Sequence, residues 1–270
     1  MLRRQKFSVK LGIFILAVLI FIGIFGPKLA PYDPYKMGRP YQRPSAEHWL
    51  GTNDVGQDLF SELIYGARVS LIIGVVSALT VTVIGSAVGV TAGYYGGITD
   101  RVLMEVAAIF QAVPSLPVTI VLVAFLSASI KNLIIAICIT AWSGTARIIR
   151  TRVMQLKTMP FIRIEQTMGA GDAYIMARHV LPNIADLVFV RGVLSVGSAM
   201  LTEASLSFLG LGVIGQKSWG GTLHYAFFRN GVVNGFWWWY LPPIICISLS
   251  VLGFMLLGRI QFDKPAERRN

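Results

Sequence analysis

Glu203 is an acid in the middle of the apolar run from Leu187 to Gly212. A carboxylate in lipid is costly, so such a residue is by default a candidate proton or ion site. Its competing role is structural, bonding backbone groups at a break before Gly210. The other chemistry-bearing residues do not form a catalytic set. His48, His179 and His224 occur without an H-E-x-x-H helix, and there is no G-x-S-x-G elbow. Gly210, Gly212 and Gly215 match G-x-G-x-x-G but follow an apolar helix instead of opening a βαβ unit. GVIGQKS approximates a phosphate loop, yet Gln216 separates Gly215 from Lys217, so the chain has no visible ATP site. Cys138 and Cys246 lie in apolar runs without the spaced partners of a disulfide framework or zinc site, and read as packing residues. With no nucleophile and base, paired acids or metal set in the apolar runs, an intramembrane enzyme is the weakest reading.

Polar chemistry concentrates instead in FIRIEQTMGAGDAYIMARHVLPN, from Phe161 to Asn183. Met154, Phe161, Ile162, Ile164 and Met168 precede Gly169, a natural helix C-cap. Asp172 is placed to N-cap a second helix holding Tyr174, Ile175, Val180 and Leu181, which Pro182 is expected to end. The whole segment, 150–186, is far longer than joining two neighbouring helices requires. Two short amphipathic helices at a tight turn either lie on a membrane surface or dock into a groove of a soluble partner.

The elements around these residues are membrane spans. Hydrophobic residues make up 54% of the chain and charged ones only 14%, which predicts one polytopic membrane domain. Against the ~20 apolar residues needed to cross the hydrocarbon layer, six spans are predicted, giving an all-α polytopic fold. They are the run from Leu11, extended by snorkelling of Lys10 and Lys28, then Val69–Tyr95, Val102–Ser129, Lys131–Ile149, Leu187–Gly212 and Phe236–Leu257. The chain thus divides into 1–30, an N-terminus with the first span, an outer segment 31–68, and a core 69–270 holding the loop 150–186.

Net charge is +11, but Lys and Arg sit between apolar runs, a pattern for loops facing anionic lipid and not for nucleic acid. With the N-terminus inside, the inner segments hold sixteen of the 24 basic residues, among them Arg101, Arg147, Arg163, Arg178, Arg191 and Arg259. Both termini and the loop 150–186 are therefore expected on the cytoplasmic side. The LRRQKF start lacks an A-x-A cleavage site after its apolar run, so the first span is expected to be retained.

Gly85, Gly89, Gly93 and Gly97 recur every fourth residue and predict a helix face that admits another backbone closely. Pro114 and Pro117 predict a kink in the third span, and Pro242 and Pro243 one in the sixth. Trp237, Trp238, Trp239 and Tyr240 read as a belt at the outer headgroup layer.

Several stretches together carry a family resemblance: HWLGTNDVGQDLFSELIYGARVSL from His48, DRVLM followed by PSLP, MGAGD followed by RHVLPN, EASLSFLGLG from Glu203, and SWGG from Ser218. The chain resembles, over nearly its whole length, the inner-membrane permease subunits of ATP-binding cassette importers. Within them it is similar to the C-type permease of the dipeptide, oligopeptide and nickel uptake branch.

That resemblance implies a type I importer permease fold and a subunit that carries peptides or a similar small solute, nickel included. It implies no cofactor in this chain, with ATP and Mg bound by two cytoplasmic ATPase subunits. The further partners are a homologous second permease, an external solute-binding protein and the lipid of a prokaryotic inner membrane. In the family the inner loop couples to the ATPase, which carries over to Arg163, Glu165, Gly169, Ala170, Gly171, Asp172, Arg178, His179, Leu181 and Pro182. Gly169 matches the central glycine, Asp172 the start of the following helix, and Leu181-Pro182 the closing dipeptide. Arg163, Ile164 and Glu165 depart from the usual Glu-Ala-Ala, and the tail LLGRIQFDKPAERRN departs from the family pattern too. Glu203, Pro114 and Pro117 are the candidates for pathway or gating. The alternative is a self-contained channel or secondary transporter with Glu203 as its proton or ion site.

Overall fold

The computed structural model describes residues 2–260, so the divergent tail lies outside the described residues from position 261 onward, and its first residues, 256–260, finish the last helix and its cap. Ten α-helices carry most of it: α1 Leu2–Leu29, α2 Leu59–Tyr95, α3 Gly97–Ala112, α4 Ser115–Leu126, α5 Ile130–Lys157, α6 Pro160–Thr167, α7 Asp172–Ile175, α8 Leu181–Leu206, α9 Trp219–Phe228 and α10 Trp237–Leu257. Five helical runs are long and apolar enough to cross a membrane, or six if α3 and α4, which meet at 86°, count as one broken span.

The kink expected near Pro114 is thus a full break. Val113 and Pro114 are both out of the helical region, at ψ 134° and 122°. The residue before a proline is pushed from helical geometry by the ring, and proline cannot donate back to the previous turn. Pro117 falls in the first turn of α4, where a missing N–H costs nothing, so only Pro114 acts as a breaker.

α2 begins at Leu59, well before the apolar run at Val69, because Asp58 caps it by accepting from the Ser61 N–H. The end of the outer segment, 59–68, therefore belongs to the first turns of α2. Three glycines of α2 pack against α5 as their spacing predicts. A Cβ at Gly85 would lie 2.7 Å from Thr145 Cβ, one at Gly89 2.5 Å from the Ala146 carbonyl oxygen, and one at Gly93 2.7 Å from that of Arg150. Gly97 does not continue the face, because α2 stops at Tyr95 and Gly97 opens α3 at φ +55° with nothing near it.

The fifth span is longer than the apolar run. α7 continues through a π-helical turn, Met176–Val180, into α8, and a second π turn, Ser207–Leu211, follows. Pro182 therefore does not end a helix; it lies within a continuous one. The widened turn absorbs the missing donor: the Leu181 N–H reaches back to Met176, and the Asn183 side-chain amide donates to the His179 carbonyl at 2.7 Å.

The tryptophans at the start of α10 are divided. Trp237 is half exposed, but Trp238 and Trp239 are buried with Leu59 and Ala226. The segment 30–58 folds across this end, and Tyr41 meets Phe236 at 4.8 Å between ring centres. Covered rings cannot sit in a headgroup layer, so the expected belt is here an inner packing cluster, with Trp237 the exception.

Candidate functional site

The segment after α5 is built from two helix ends. Pro160 opens α6 at a position that needs no donor. At its other end Gly169 takes φ +81°, the Gly169 N–H donates to the Gln166 carbonyl and the Ala170 N–H to that of Glu165. These two bonds form a Schellman motif, which requires a left-handed residue where glycine stands. The cap at α7 differs from the sequence expectation. Gly171 is the N-cap, whereas Asp172 occupies the first turn and accepts from the Tyr94 hydroxyl at 2.9 Å.

Tyr94 is the hub that the sequence reading missed. Its ring is buried, its carbonyl accepts from Lys157 Nζ at 2.5 Å, and the Lys157 ammonium lies 5.5 Å from its ring centre. Its partners lie far along the chain, so no local spacing marked it. Arg150 pairs with Asp100 at the same end, fixing the start of α3 to α5.

The apolar residues of the segment divide into two faces. Ile162, Ile175 and Val180 are fully buried against Val90, Ile149, Val153, Leu156 and Ile184 from α2, α5 and α8. Phe161, Ile164, Met168, Tyr174 and Leu181 are exposed, Met168 by 78%. Arg163, Gly171, Arg178 and Pro182 share that outer surface, with Ala170 half-buried beneath them. Glu165 Oε1 lies 3.3 Å from His179 Nε2, and the His179 ring is flanked by Phe161 and Tyr174. Burying about three aliphatic side chains is worth roughly 1.5–3 kcal/mol each, enough to hold so short a turn in one shape. The structure thus brings all the sequence-selected loop residues together on a rigid hairpin.

It does not bring the three pathway candidates together. Pro114 and Pro117 are exposed at the α3–α4 break. Glu203 is 1% exposed and enclosed elsewhere: Ser70 Oγ of α2 donates to Oε2 at 3.0 Å, and Ser207 Oγ to Oε1 at 2.7 Å. A carboxylate held by two hydroxyls in a closed site joins helices.

Nearby, Glu62 is the buried acid that sequence reading passed over. Thr222 Oγ1 donates to it at 2.9 Å, Asn53 Nδ2 at 3.2 Å, and Lys217 Nζ stands 3.4 Å away. Ser218 caps α9, and the Trp219 indole donates to the Leu63 carbonyl at 2.9 Å. A Cβ at Gly220 would lie 2.6 Å from the Ala204 carbonyl oxygen. The stretches around TNDVGQD and SWGG therefore interlock at one end of the bundle. Among the described residues no group of three His, Cys, Asp or Glu could hold a metal.

The family model described as the inner membrane component of binding-protein-dependent transport systems matches residues 85–264. A second, the N-terminal TM domain of oligopeptide transport permease C, matches residues 1–47. The chain is 35% identical to the dipeptide transport system permease protein DppC of Bacillus subtilis (strain 168), over 95% of this chain and 80% of that one. It is 36% identical to the glutathione transport system permease protein GsiD of Pectobacterium atrosepticum, over 94% and 85%. With the oligopeptide transport system permease protein OppC of Bacillus subtilis (strain 168) it is also 36% identical, over 92% and 81%. Among solved structures, an inward-facing form of the MetNI methionine ABC transporter aligns with TM-score 0.59 at 18% identity, over 74% of this chain and 94% of that one. That similarity shows a shared fold.

Proposed function

Since the chain belongs to the family of inner-membrane components of binding-protein-dependent transport systems, we propose that its hairpin, 160–182, docks on a cytoplasmic ATPase subunit and that it carries peptides or a similar small solute. The chain is a permease subunit and not itself an enzyme; ATP hydrolysis lies in separate subunits. In the proposed assembly it pairs with a homologous second permease, above two ATPases that bind ATP and Mg and below a solute-binding protein. Both termini and the hairpin face the cytoplasm. Relatives named for dipeptide, oligopeptide and glutathione transport support a peptide-like solute.

The observation that carries the docking reading is the two-faced hairpin. Its inner face is locked to α2 and α5, whereas its outer face presents Phe161, Ile164, Met168, Tyr174 and Leu181 to solvent. Such a surface suits burial in a groove of a soluble partner, and a rigid inner face passes any push directly to the spans. ATP binding and hydrolysis then bias the equilibrium between inward-open and outward-open forms.

The test is Gly169→Trp in the full importer. A Cβ there meets nothing within 4 Å inside this chain, so the inner packing is spared. The added cost is backbone strain of about 1–2 kcal/mol and bulk on the docking surface. The variant is expected to reach the membrane and pair with the second permease, yet to lose ATPase binding and ATP-driven uptake together. Normal assembly and uptake with tryptophan in place would remove the hairpin from the coupling role.

A further inference from the structure

One face of α8 has no explanation in the packing of this chain. Arg191, Ser195, Ser198, Thr202 and Ser205 recur at alternating spacings of four and three, which places them in one line along the helix. None of the five is buried. Two other faces of α8 are occupied, although Phe189 and Leu201 stand exposed beside them. Toward α2, a Cβ at Gly192 would touch Thr82, Met200 fills the space at Gly74, and Glu203 meets Ser70. Toward α10, Gly197 faces Phe254 and Val251, and Leu194 lies against Gly258.

The hydroxyls on the polar line turn back on their own helix. Thr202 Oγ1 donates to the Ser198 carbonyl at 3.0 Å and Ser205 Oγ to that of Leu201 at 2.8 Å, leaving their lone pairs outward. Arg191 has no such partner: its Nε is buried without an acceptor, and it forms no ion pair among the described residues. The line runs roughly 21 Å along the helix at 1.5 Å per residue, most of a hydrocarbon layer ~30 Å thick. A charged arginine facing lipid at the helix centre would cost about 2.5–3.5 kcal/mol. Arg191 stands nearer the inner end, where its stem can carry the charge toward the headgroups, so it is the whole row that calls for a polar cover.

We propose that this line forms a wall of the solute pathway and that Arg191 is a binding station for a solute carboxylate. The inference rests on the importer-permease reading above and deepens it. A row of hydroxyls gives a hydrated solute exchangeable hydrogen bonds along its route, while a guanidinium supplies a forked donor pair matched to a carboxylate. A peptide carries such a group at its C-terminus. The competing account is a packed interface with the second permease, since Ser and Thr also line helix contacts in membranes. A packed seam excludes water, which the labelling below distinguishes from a pathway.

The test uses the complete importer in proteoliposomes, with Cys138 and Cys246 replaced by Ala. Ser195→Cys, one turn from Arg191, is to be labelled with anionic and with cationic methanethiosulfonate reagents. Phe14→Cys, 66% exposed on the apolar face of α1, is the control. Ser195→Cys should react at least about tenfold faster than the control, because it meets water. Its preference for the anionic reagent should fall about fivefold when Arg191→Met is added, and be kept by Arg191→Lys. In uptake, Arg191→Met should slow trialanine about tenfold, the loss of one charged hydrogen bond, and trialanine amide by less than about twofold.

Slow labelling of Ser195→Cys, a reagent preference indifferent to Arg191, or equal losses for both peptides would each overturn the proposal. So would a complex that fails to assemble with Arg191→Met but assembles with Arg191→Lys, the mark of a subunit ion pair. If the unaltered importer takes up neither peptide, the peptide reading of the previous subsection fails, and the labelling still decides the station.

Discussion

Glu203 shows how a residue's type can be legible while its task is not. The sequence exposed an acid within an apolar run; it could not show that Ser70, far away on α2, and Ser207 would occupy both oxygens. Replacing Glu203 with Leu leaves two buried hydroxyls without their acceptor, a penalty of about 1–3 kcal/mol. The expected result is a lower melting temperature of the purified complex, with Glu203→Gln milder because it keeps one carbonyl oxygen. ATP-driven uptake by the Gln variant should persist, since a helix joint needs hydrogen bonding and no titration. Loss of uptake with unchanged stability would restore the proton-site reading. Gly169 was legible for the opposite reason, because its role is local: a left-handed cap is written in the adjacent residues. Asp172 was misplaced by one position since its partner, Tyr94, belongs to another helix.

At the scale of elements, periodicity revealed the packing face of α2 but not the helix that fills it. The four-residue glycine spacing says that some backbone comes close; only the fold identifies α5. Gly89→Ala would press a methyl group against the Ala146 carbonyl oxygen at 2.5 Å. The helices must part, at a cost of about 1–3 kcal/mol. Gly144→Ala, on α5 with nothing within 4 Å, should be tolerated. Thermal unfolding of the two variants side by side checks the contrast, and equal losses would mean that α2 and α5 are not in close contact. Prolines are less legible, because their effect depends on their place in a helix. Pro114 stands where one helix stops and breaks the span, Pro117 in a first turn does nothing, and Pro182 is absorbed by a π turn. A proline's position in the chain does not reveal how many turns of helix precede it.

At the scale of the whole molecule, the spans were legible because lipid demands long apolar runs, whereas the ends of the bundle were not. At one end, segment 30–58, α9 and the start of α10 fold over Trp238 and Trp239; at the other, the hairpin closes on Tyr94. Each end is sealed by contacts between distant residues, which composition does not encode. The bundle runs between these two caps, so the fold makes a definite demand on topology: they must lie on opposite sides of the membrane. Met168, 78% exposed on the hairpin, and Val233, 83% exposed between α9 and α10, are suited to test it. As single cysteines in a background lacking Cys138 and Cys246, they are to be labelled with a membrane-impermeant thiol reagent in intact cells and in inverted vesicles. Val233→Cys should react in cells, and Met168→Cys only in inverted vesicles. Adding the ATPase subunit should then protect Met168→Cys and leave Val233→Cys unchanged. The positive-inside count, the two-cap architecture and the docking face converge on this pattern by separate physical routes. Labelling of both cysteines from one side would contradict the architecture itself, and reversed labelling the orientation alone.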